Sequence, residues 1–207
     1  ALNLDFKGLA RFTPKDPRWD FTVNARGIDL SSLGIDTAQT LVYGMATVNA
    51  TGFNSQELQG RIALKDISVH RTGRIYSFAN QVVEKYNQGG QSSLTAYGEA
   101  INAEVNGQFS LANVALVLQN EVATIFSRRF QHTKEYYPDS FSFSIQIPQT
   151  DLLTGFLHPS LNTTAFVASG MFDGKSETMS LKIDPMDICL GQISAKQISC
   201  NARKADS

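Results

Sequence analysis

The chain has 207 residues, of which 18 are Lys or Arg and 19 are Asp or Glu, so the formal net charge is −1. Only 18% of the residues are charged, which is below the roughly 25% usual in soluble domains. A near-neutral chain without a basic run lacks the surface that phosphate recognition needs, so nucleic acid is not an expected partner. No apolar run reaches the ~18 residues that cross a bilayer. The chain opens inside an alternating pattern, which favours a segment of a longer protein.

Hydrophobic and polar residues alternate along most of the chain. In the run from Phe141 to Ile147, for example, every second residue is apolar and the others are Ser or Gln. This period of two is typical of strands with one buried and one exposed face. The predicted strands cover residues 3–12, 18–27, 40–53, 58–70, 73–82, 92–109, 140–147, 161–173, 177–184 and 187–200.

One segment has the period of a helix. From Leu111 onward the apolar residues recur at the spacing of one helical face, and Ser110 suits the N-cap position. The sequence therefore predicts one substantial helix near 111–130. Shorter helical turns are predicted at 29–33 and 151–154, where an aspartate begins each turn.

The chain also contains an internal repeat. Residues 19–30 align with residues 141–152 at an offset of 122, and after a gap of four residues Asn49–Gly52 aligns with Val167–Gly170. Repeats of this kind are typical of arrays in which each unit contacts its neighbours. We therefore expect one continuous domain built from a first β-repeat unit at 1–130 that ends in the helix, a connection at 131–139 and a second, partial unit at 140–207.

The predicted strands have more apolar surface than one helix can cover. Glycines inside several strands are typical of bulges and bends. We therefore predict a mainly β fold, in which a strongly curved antiparallel sheet folds into an elongated apolar groove, with a closed sandwich as the alternative. The candidate groove residues are Trp19, Phe21, Val23, Ile62, Leu64, Ile101, Val105, Phe141, Phe143, Ile145, Ile147, Met179, Leu181 and Ile183.

The sequence has no catalytic or metal-binding motif, and His70, His132 and His158 are dispersed. We expect no enzymatic activity, no cofactor and no metal. Cys189 and Cys200 are separated by ten residues, a spacing that suits a hairpin with its turn near 192–196. Two facing strands of a hairpin can bring cysteines within disulfide range in an oxidising compartment, and two buried thiols are the alternative.

Three features together resemble the repeats of the AsmA-like superfamily, and its TamB-type translocation and assembly modules in particular. They are the aromatic-x-Phe-x-Val pattern from Trp19 to Val23, the Asp-Leu turn at 29–30, and the run from Val48 to Val69. The resemblance implies a periplasmic protein of the Gram-negative cell envelope, anchored at the inner membrane through a segment outside this chain.

The implied function is to bind or conduct phospholipid acyl chains along an apolar groove between the inner and outer membranes. Two alternatives stay open. One is a scaffold that helps an outer-membrane assembly protein by adding strands to its sheet edges. The other is an extracellular β-sandwich adhesin or carbohydrate-binding module.

Overall fold

The structure is a computed structural model that describes residues 3–13, 16–34, 38–54, 56–114, 116–117, 138–148, 150, 161–190 and 192–204. The described residues contain twelve β-strands and, at 111–114 and 116–117, a short helical segment. The strands are β1 (Leu4–Thr13), β2 (Asp16–Asp29), β3 (Thr40–Thr51), β4 (Gln59–Arg71), β5 (Arg74–Gln88), β6 (Gln91–Gly98), β7 (Asn102–Gln108), β8 (Ser140–Ile147), β9 (Leu161–Thr163), β10 (Phe166–Asp173), β11 (Thr178–Leu190) and β12 (Ile193–Lys204).

All twelve strands belong to one antiparallel sheet. Its order is β1-β2-β3-β4-β5-β6-β7-β8-β10-β11-β12, and β9 also pairs with β11. The order follows the chain because most connections are local hairpins. The β4–β5 and β5–β6 hairpins turn at Thr72-Gly73 and Gly89-Gly90, where both central residues have positive φ. This is the backbone of a two-residue hairpin turn whose twist matches that of its strands.

The predicted mainly β, antiparallel fold is confirmed, but the predicted strong curvature is wrong. The sheet is not strongly curled, and β1 and β12 lie at opposite ends of the strand order. Part of the apolar surface is instead covered by the helical segment, so the sheet need not fold over itself to bury it. A glycine such as Gly44 has a local role. A Cβ at Gly44 would lie 2.6 Å from Ile67 Cδ1, at a register shift between β3 and β4.

The predicted helices are corrected as well. Among the described residues no substantial helix is present, and within the predicted 111–130 helix the helical residues are 111–114 and 116–117. The remainder of that prediction and the turn at 151–154 lie outside the described residues. The short turn predicted at 29–33 is present as a turn at residues 30–34, where the Gly34 N–H donates to the Ser31 carbonyl at 3.0 Å. As predicted, Asp29 precedes it, and Asp29 Oδ1 accepts a hydrogen bond from the Ser31 backbone N–H at 3.0 Å.

The two predicted repeat units share the sheet, since β7 pairs with β8. Phe21 pairs with Val48, and Phe143 pairs with Gly170. Adding 122 to Phe21 gives Phe143, and adding 122 to its partner Val48 gives Gly170, the partner of Phe143. By strand register, Val48 therefore corresponds to Gly170. The four-residue gap in the sequence alignment, which matched Gly52 to Gly170, does not follow the strand register. The division into units remains a prediction, and 131–137 of its connection lie outside the described residues.

The hydrophobic core of the described residues lies over β7, β8, β10 and β11. Its buried members include Phe109, Val114 and Val117 from the segment after β7. Its buried strand members are Val105, Phe141, Phe143, Ala168, Phe172, Met179, Leu181 and Ile183.

Candidate ligand-binding face

One face of the sheet is apolar from β1 to β12, and we call it the dry face. Residues that pair across neighbouring strands lie on the same face, so the register defines rows that cross the whole sheet. One row is Ala10, Trp19, Ala50, Gly60, Lys85, Leu94, Val105, Phe143, Gly170, Leu181 and Ala202. The next row is Gly8, Phe21, Val48, Ile62, Val83, Ala96, Ala103, Ile145, Ala168, Ile183 and Cys200. At roughly 4.8 Å between strands, each row spans about 48 Å.

The register brings the predicted groove residues together on this face, with Ile101 as the exception. Ile101 precedes β7, and its backbone N–H and C=O are bonded to the Gln81 side chain at 3.0 Å and 2.8 Å. The alternation also predicts that Thr22, Ser142, Ser144 and Lys182 face water. Ser142, Ser144 and Lys182 are exposed on the opposite face, whereas Thr22 is half-buried there, with its hydroxyl 3.3 Å from that of Thr47. Alternation therefore identified the shared face, while a lipid-binding role for these residues stays a prediction.

The dry face is closed over β7, β8, β10 and β11, and we call this part the covered half. Phe143 is only 5% exposed and Met179 only 1%. Val117, from the short helical segment, has no exposed surface and belongs to the same cluster. Most predicted groove residues in this half are core residues, since side chains packed to this degree leave no room for a ligand. They are Val105, Phe141, Phe143, Met179, Leu181 and Ile183. Ile145 is partly buried against this core, and Ile147 is half-buried.

Over β1 to β5 the dry face is far more accessible, and we call this part the open half. Phe6, Phe12 and Ile62 are 53%, 67% and 38% exposed. Here aromatic rings of neighbouring strands pack against each other. The ring centroids of Phe6 and Phe21 are 5.0 Å apart, and those of Phe12 and Trp19 are 5.1 Å apart. Exposed apolar patches are typical of interaction sites, so the open half is a candidate binding surface.

A cavity of about 190 Å³ lies on the dry face where the open half meets the helical segment. Trp19 forms part of its wall, and the indole Nε1–H donates a hydrogen bond to the Gly52 carbonyl at 3.0 Å, which fixes the ring. The remaining lining residues are Phe21, Val48, Ala50, Leu58, Gln59, Gly60, Ile62, Val83, Lys85, Leu94 and Leu111. The cavity is therefore a predominantly apolar recess with a rigid aromatic wall.

Lys85 is the charged residue of this cavity, and it is only 4% exposed. Its Nζ donates hydrogen bonds to the Leu58 carbonyl at 2.8 Å, the Gln56 carbonyl at 3.2 Å and Asn87 Oδ1 at 2.8 Å. Burial lowers the pKa of Lys85 below its ordinary value. Because the ammonium group has three protons and all three have partners, Lys85 ties the 56–58 loop to β5 and offers no proton to a ligand.

Sequence reasoning did not find Lys85, Leu58 or Leu111 as cavity residues. Lys85 and Gln81 occupy dry-face positions of β5, where the alternation rule expects apolar residues. Leu58 precedes a strand and Leu111 follows one, so neither has a strand partner that would reveal its position. The one sequence signal for this cavity is Lys85 itself, a charged residue two positions after Val83 where the alternation expects an apolar one.

The predicted cysteine hairpin is present, but the geometry of the predicted disulfide is wrong. Cys189 pairs with Ser194, and Cys200 pairs with Ile183. The hairpin turns directly after Leu190, earlier than the predicted 192–196. The cysteines thus lie six residues apart along the hairpin, about 20 Å in extended strand. That is far beyond disulfide range, and no disulfide is present.

Within the described ranges no group of three or more His, Cys, Asp or Glu side chains is placed to hold a metal ion. The described part of the chain also has no helix that is both long and apolar enough to cross a membrane. Comparison of the chain with protein-family models, curated proteins and solved structures gave no match.

Proposed function

We propose that this protein binds phospholipid through its acyl chains on the open half of the dry face, as a segment of a periplasmic AsmA/TamB-like envelope protein that passes lipid between the inner and outer membranes. The observation that supports the proposal is the recess beside Trp19, which opens from an exposed apolar strip on a face whose core lies over β7, β8, β10 and β11.

The chemistry of the recess favours an acyl chain over a sugar or a phosphate group. Removal of each CH₂ from water contributes about 0.8 kcal/mol, and an apolar wall supplies this without directional bonds. A sugar requires several free donors and acceptors. The nearest cation, Lys85, already donates all its protons to Gln56, Leu58 and Asn87. A headgroup would therefore stay in water while the chain contacts the face.

The sheet is open, so this site differs from the enclosed groove expected from the sequence. An acyl chain on the open half would lie against Trp19, Phe21 and Ile62 with its other side toward solvent or a partner. Movement along the apolar rows would need no change of environment until the chain reached the covered half. There the helical segment would have to move for lipid to continue, which makes the covered half a barrier in this conformation.

The test uses Trp19, the single tryptophan of the chain. Vesicles of phospholipid brominated on the acyl chain should quench Trp19 fluorescence, because bromine would come within contact distance of the indole. Vesicles of the same lipid without bromine should not quench it. Mass spectrometry of an organic extract of the purified protein should detect co-purified phospholipid.

The matched variants are Ile62→Asp and Ala63→Asp, which place the same charge at adjacent positions of β4 on opposite faces. Ile62→Asp should reduce quenching at least tenfold, because an unpaired carboxylate against an acyl chain is costly. Ala63→Asp should leave it unchanged. Absence of quenching in the unsubstituted protein, or an equal loss in both variants, would overturn the proposal.

A further inference from the structure

The recess beside Trp19 has two different ends. Its lining residues come from β2 to β6, together with Leu58 and Leu111 outside the strands. At the β6 side the wall is formed by Leu94 and Leu111, and both side chains pack against the core of the covered half. At the β2 side the wall is Trp19, whose ring lies against the exposed ring of Phe12. The recess is therefore open at Trp19 and closed at Leu94 and Leu111.

The dimensions of the recess suit one acyl chain. Four inter-strand spacings separate β2 from β6, which at roughly 4.8 Å each is about 19 Å. A hydrocarbon core about 30 Å thick contains two leaflets, so one chain in a bilayer extends over about 15 Å. The enclosed volume of about 190 Å³ holds the end segment of one chain and is too small for two chains side by side.

The polar groups of the recess determine which end of the chain fits the closed end. Lys85 is the charged residue there, and all three of its protons already have acceptors within the protein. Gln59, the other polar lining residue, is exposed to solvent. A phosphate or carboxylate at the closed end would be buried without a donor, which is costly. The methyl end of an acyl chain has no such cost.

We propose that Leu94 and Leu111 limit the length of the acyl chain that this site accepts, because they stop the methyl end of a chain that enters past Trp19. The inference rests on the proposed function and adds which feature of the lipid is selected, namely the length of one chain and not the headgroup. A shorter chain leaves apolar wall uncovered. A longer chain keeps its additional CH₂ groups outside the recess.

The test is a binding series with lysophosphatidylcholines from octanoyl to stearoyl, each below its critical micelle concentration and followed by Trp19 fluorescence. Binding should tighten by up to about fourfold for each added CH₂, which corresponds to about 0.8 kcal/mol. It should reach a plateau once the chain fills the recess. Binding that tightens through the whole series would overturn the length limit but not lipid binding. No binding at any chain length would overturn the proposed function as well.

Substitutions at the closed end should move this plateau. Leu111→Ala leaves space that is only partly refilled, so the plateau should move to a chain about two CH₂ groups longer. Leu94→Ala should have the same effect, and Leu111→Phe should move the plateau to a shorter chain. A general loss of stability would not move the plateau in opposite directions.

The matched control is Leu116→Ala, in the same helical segment. Leu116 is 43% exposed and does not line the recess, so this variant should keep the plateau of the unsubstituted protein. Circular dichroism identifies the variants that fold. A plateau at the same chain length in all folded variants would contradict the assignment of Leu94 and Leu111 as the closed end.

Two further measurements test the direction of entry and the role of the headgroup. Trp19 lies at the open end, so a bromine near the carboxyl end of a bound chain should quench its fluorescence more strongly than a bromine near the methyl end. The reverse order, or equal quenching, would overturn entry by the methyl end. Fatty acids should reach their plateau at the same chain length as the lysophospholipids. A plateau that changes with the headgroup would contradict selection by the chain.

Discussion

The covered half and the open half have the same strand pattern but different surroundings. Phe143 and Ile62 both lie on dry-face rows, yet Phe143 is 5% exposed and Ile62 is 38% exposed. The difference arises from Phe109, Val114 and Val117, which belong to the core at the β7–β11 end. The same alternating sequence thus produces a core where a covering segment lies over it and an accessible face where no described segment does.

The largest expected difference concerns a charge placed in each half. Phe143→Asp should lower the free energy of unfolding by about 4 kcal/mol or more, because it buries an unpaired carboxylate and leaves a cavity. Ile62→Asp should lower it by about 1 kcal/mol, since its carboxylate can reach water. Urea unfolding followed by circular dichroism measures both. Equal losses would show that the open half is packed like the core.

The covering segment itself can be tested at adjacent positions. Val117→Ala should lower the free energy of unfolding by about 2 kcal/mol, because it removes methyl groups from a site with no exposed surface. Leu116, 43% exposed, serves as the control. Leu116→Ala should change stability by less than about 0.5 kcal/mol. If both substitutions had the same small effect, the segment would not be what closes the covered half.

Lys85 lies in the row between Gly60 of the open half and Leu94, which packs against the core. Lys85→Met should lower the free energy of unfolding by about 1 kcal/mol, because the Leu58 and Gln56 carbonyls lose their donor. Hydrogen exchange at residues 56–58 should become faster, and quenching of Trp19 by brominated lipid should increase. An unchanged hydrogen-exchange rate at residues 56–58 would contradict the conclusion that Lys85 holds this loop against β5.

Lys85→Met should also change how the stability of the fold depends on pH. Because burial lowers the pKa of Lys85, the unfolded chain binds this proton more tightly than the folded chain. The unsubstituted protein should therefore gain stability as pH rises from neutral toward roughly 10.4, the ordinary value for lysine. Thermal unfolding of the Met variant across this range should lack that gain.

The smallest expected effect concerns a turn at the end of one strand in each half. Hydrogen bonds from the Ser31 and Ser32 hydroxyls lower the pKa of Asp29 to about 2, and a hydrogen bond from the Ser176 hydroxyl lowers the pKa of Asp173. A lowered carboxylate pKa stabilises the fold above the unfolded value near roughly 3.9, and this contribution is lost as pH falls through the folded value.

Asp29→Asn and Asp173→Asn should each lower the melting temperature slightly at about pH 6. For Asp29 the difference from the unsubstituted protein should shrink between about pH 4 and pH 2, as the carboxylate takes up its proton. Thermal melts at closely spaced pH values measure this. A difference that stays constant across that range would show that the carboxylate charge is not the source of the stabilisation.

The sequence by itself determined the strands and which side chains share a face. Alternation depends on a local property, the two-residue period of extended backbone, so residues such as Phe21 and Leu181 could be assigned to one face without knowledge of the fold. It also misplaced some boundaries. The predicted strand at 92–109 is two strands, because residues 99 and 100 bend between β6 and β7.

Only the tertiary structure decided which part of that face is core. Phe143 and Val117 belong to one buried cluster although 25 residues lie between them in the chain, and no local period encodes such a contact. The same holds for Lys85, whose inward position is tolerated because the Gln56 and Leu58 carbonyls reach it from the loop that precedes β4. The weak curvature of the sheet also depends on tertiary packing. The covering segment buries apolar surface that the sheet would otherwise have to bury by folding over itself. Strand period is set by neighbouring residues, whereas exposure is set by what packs over them.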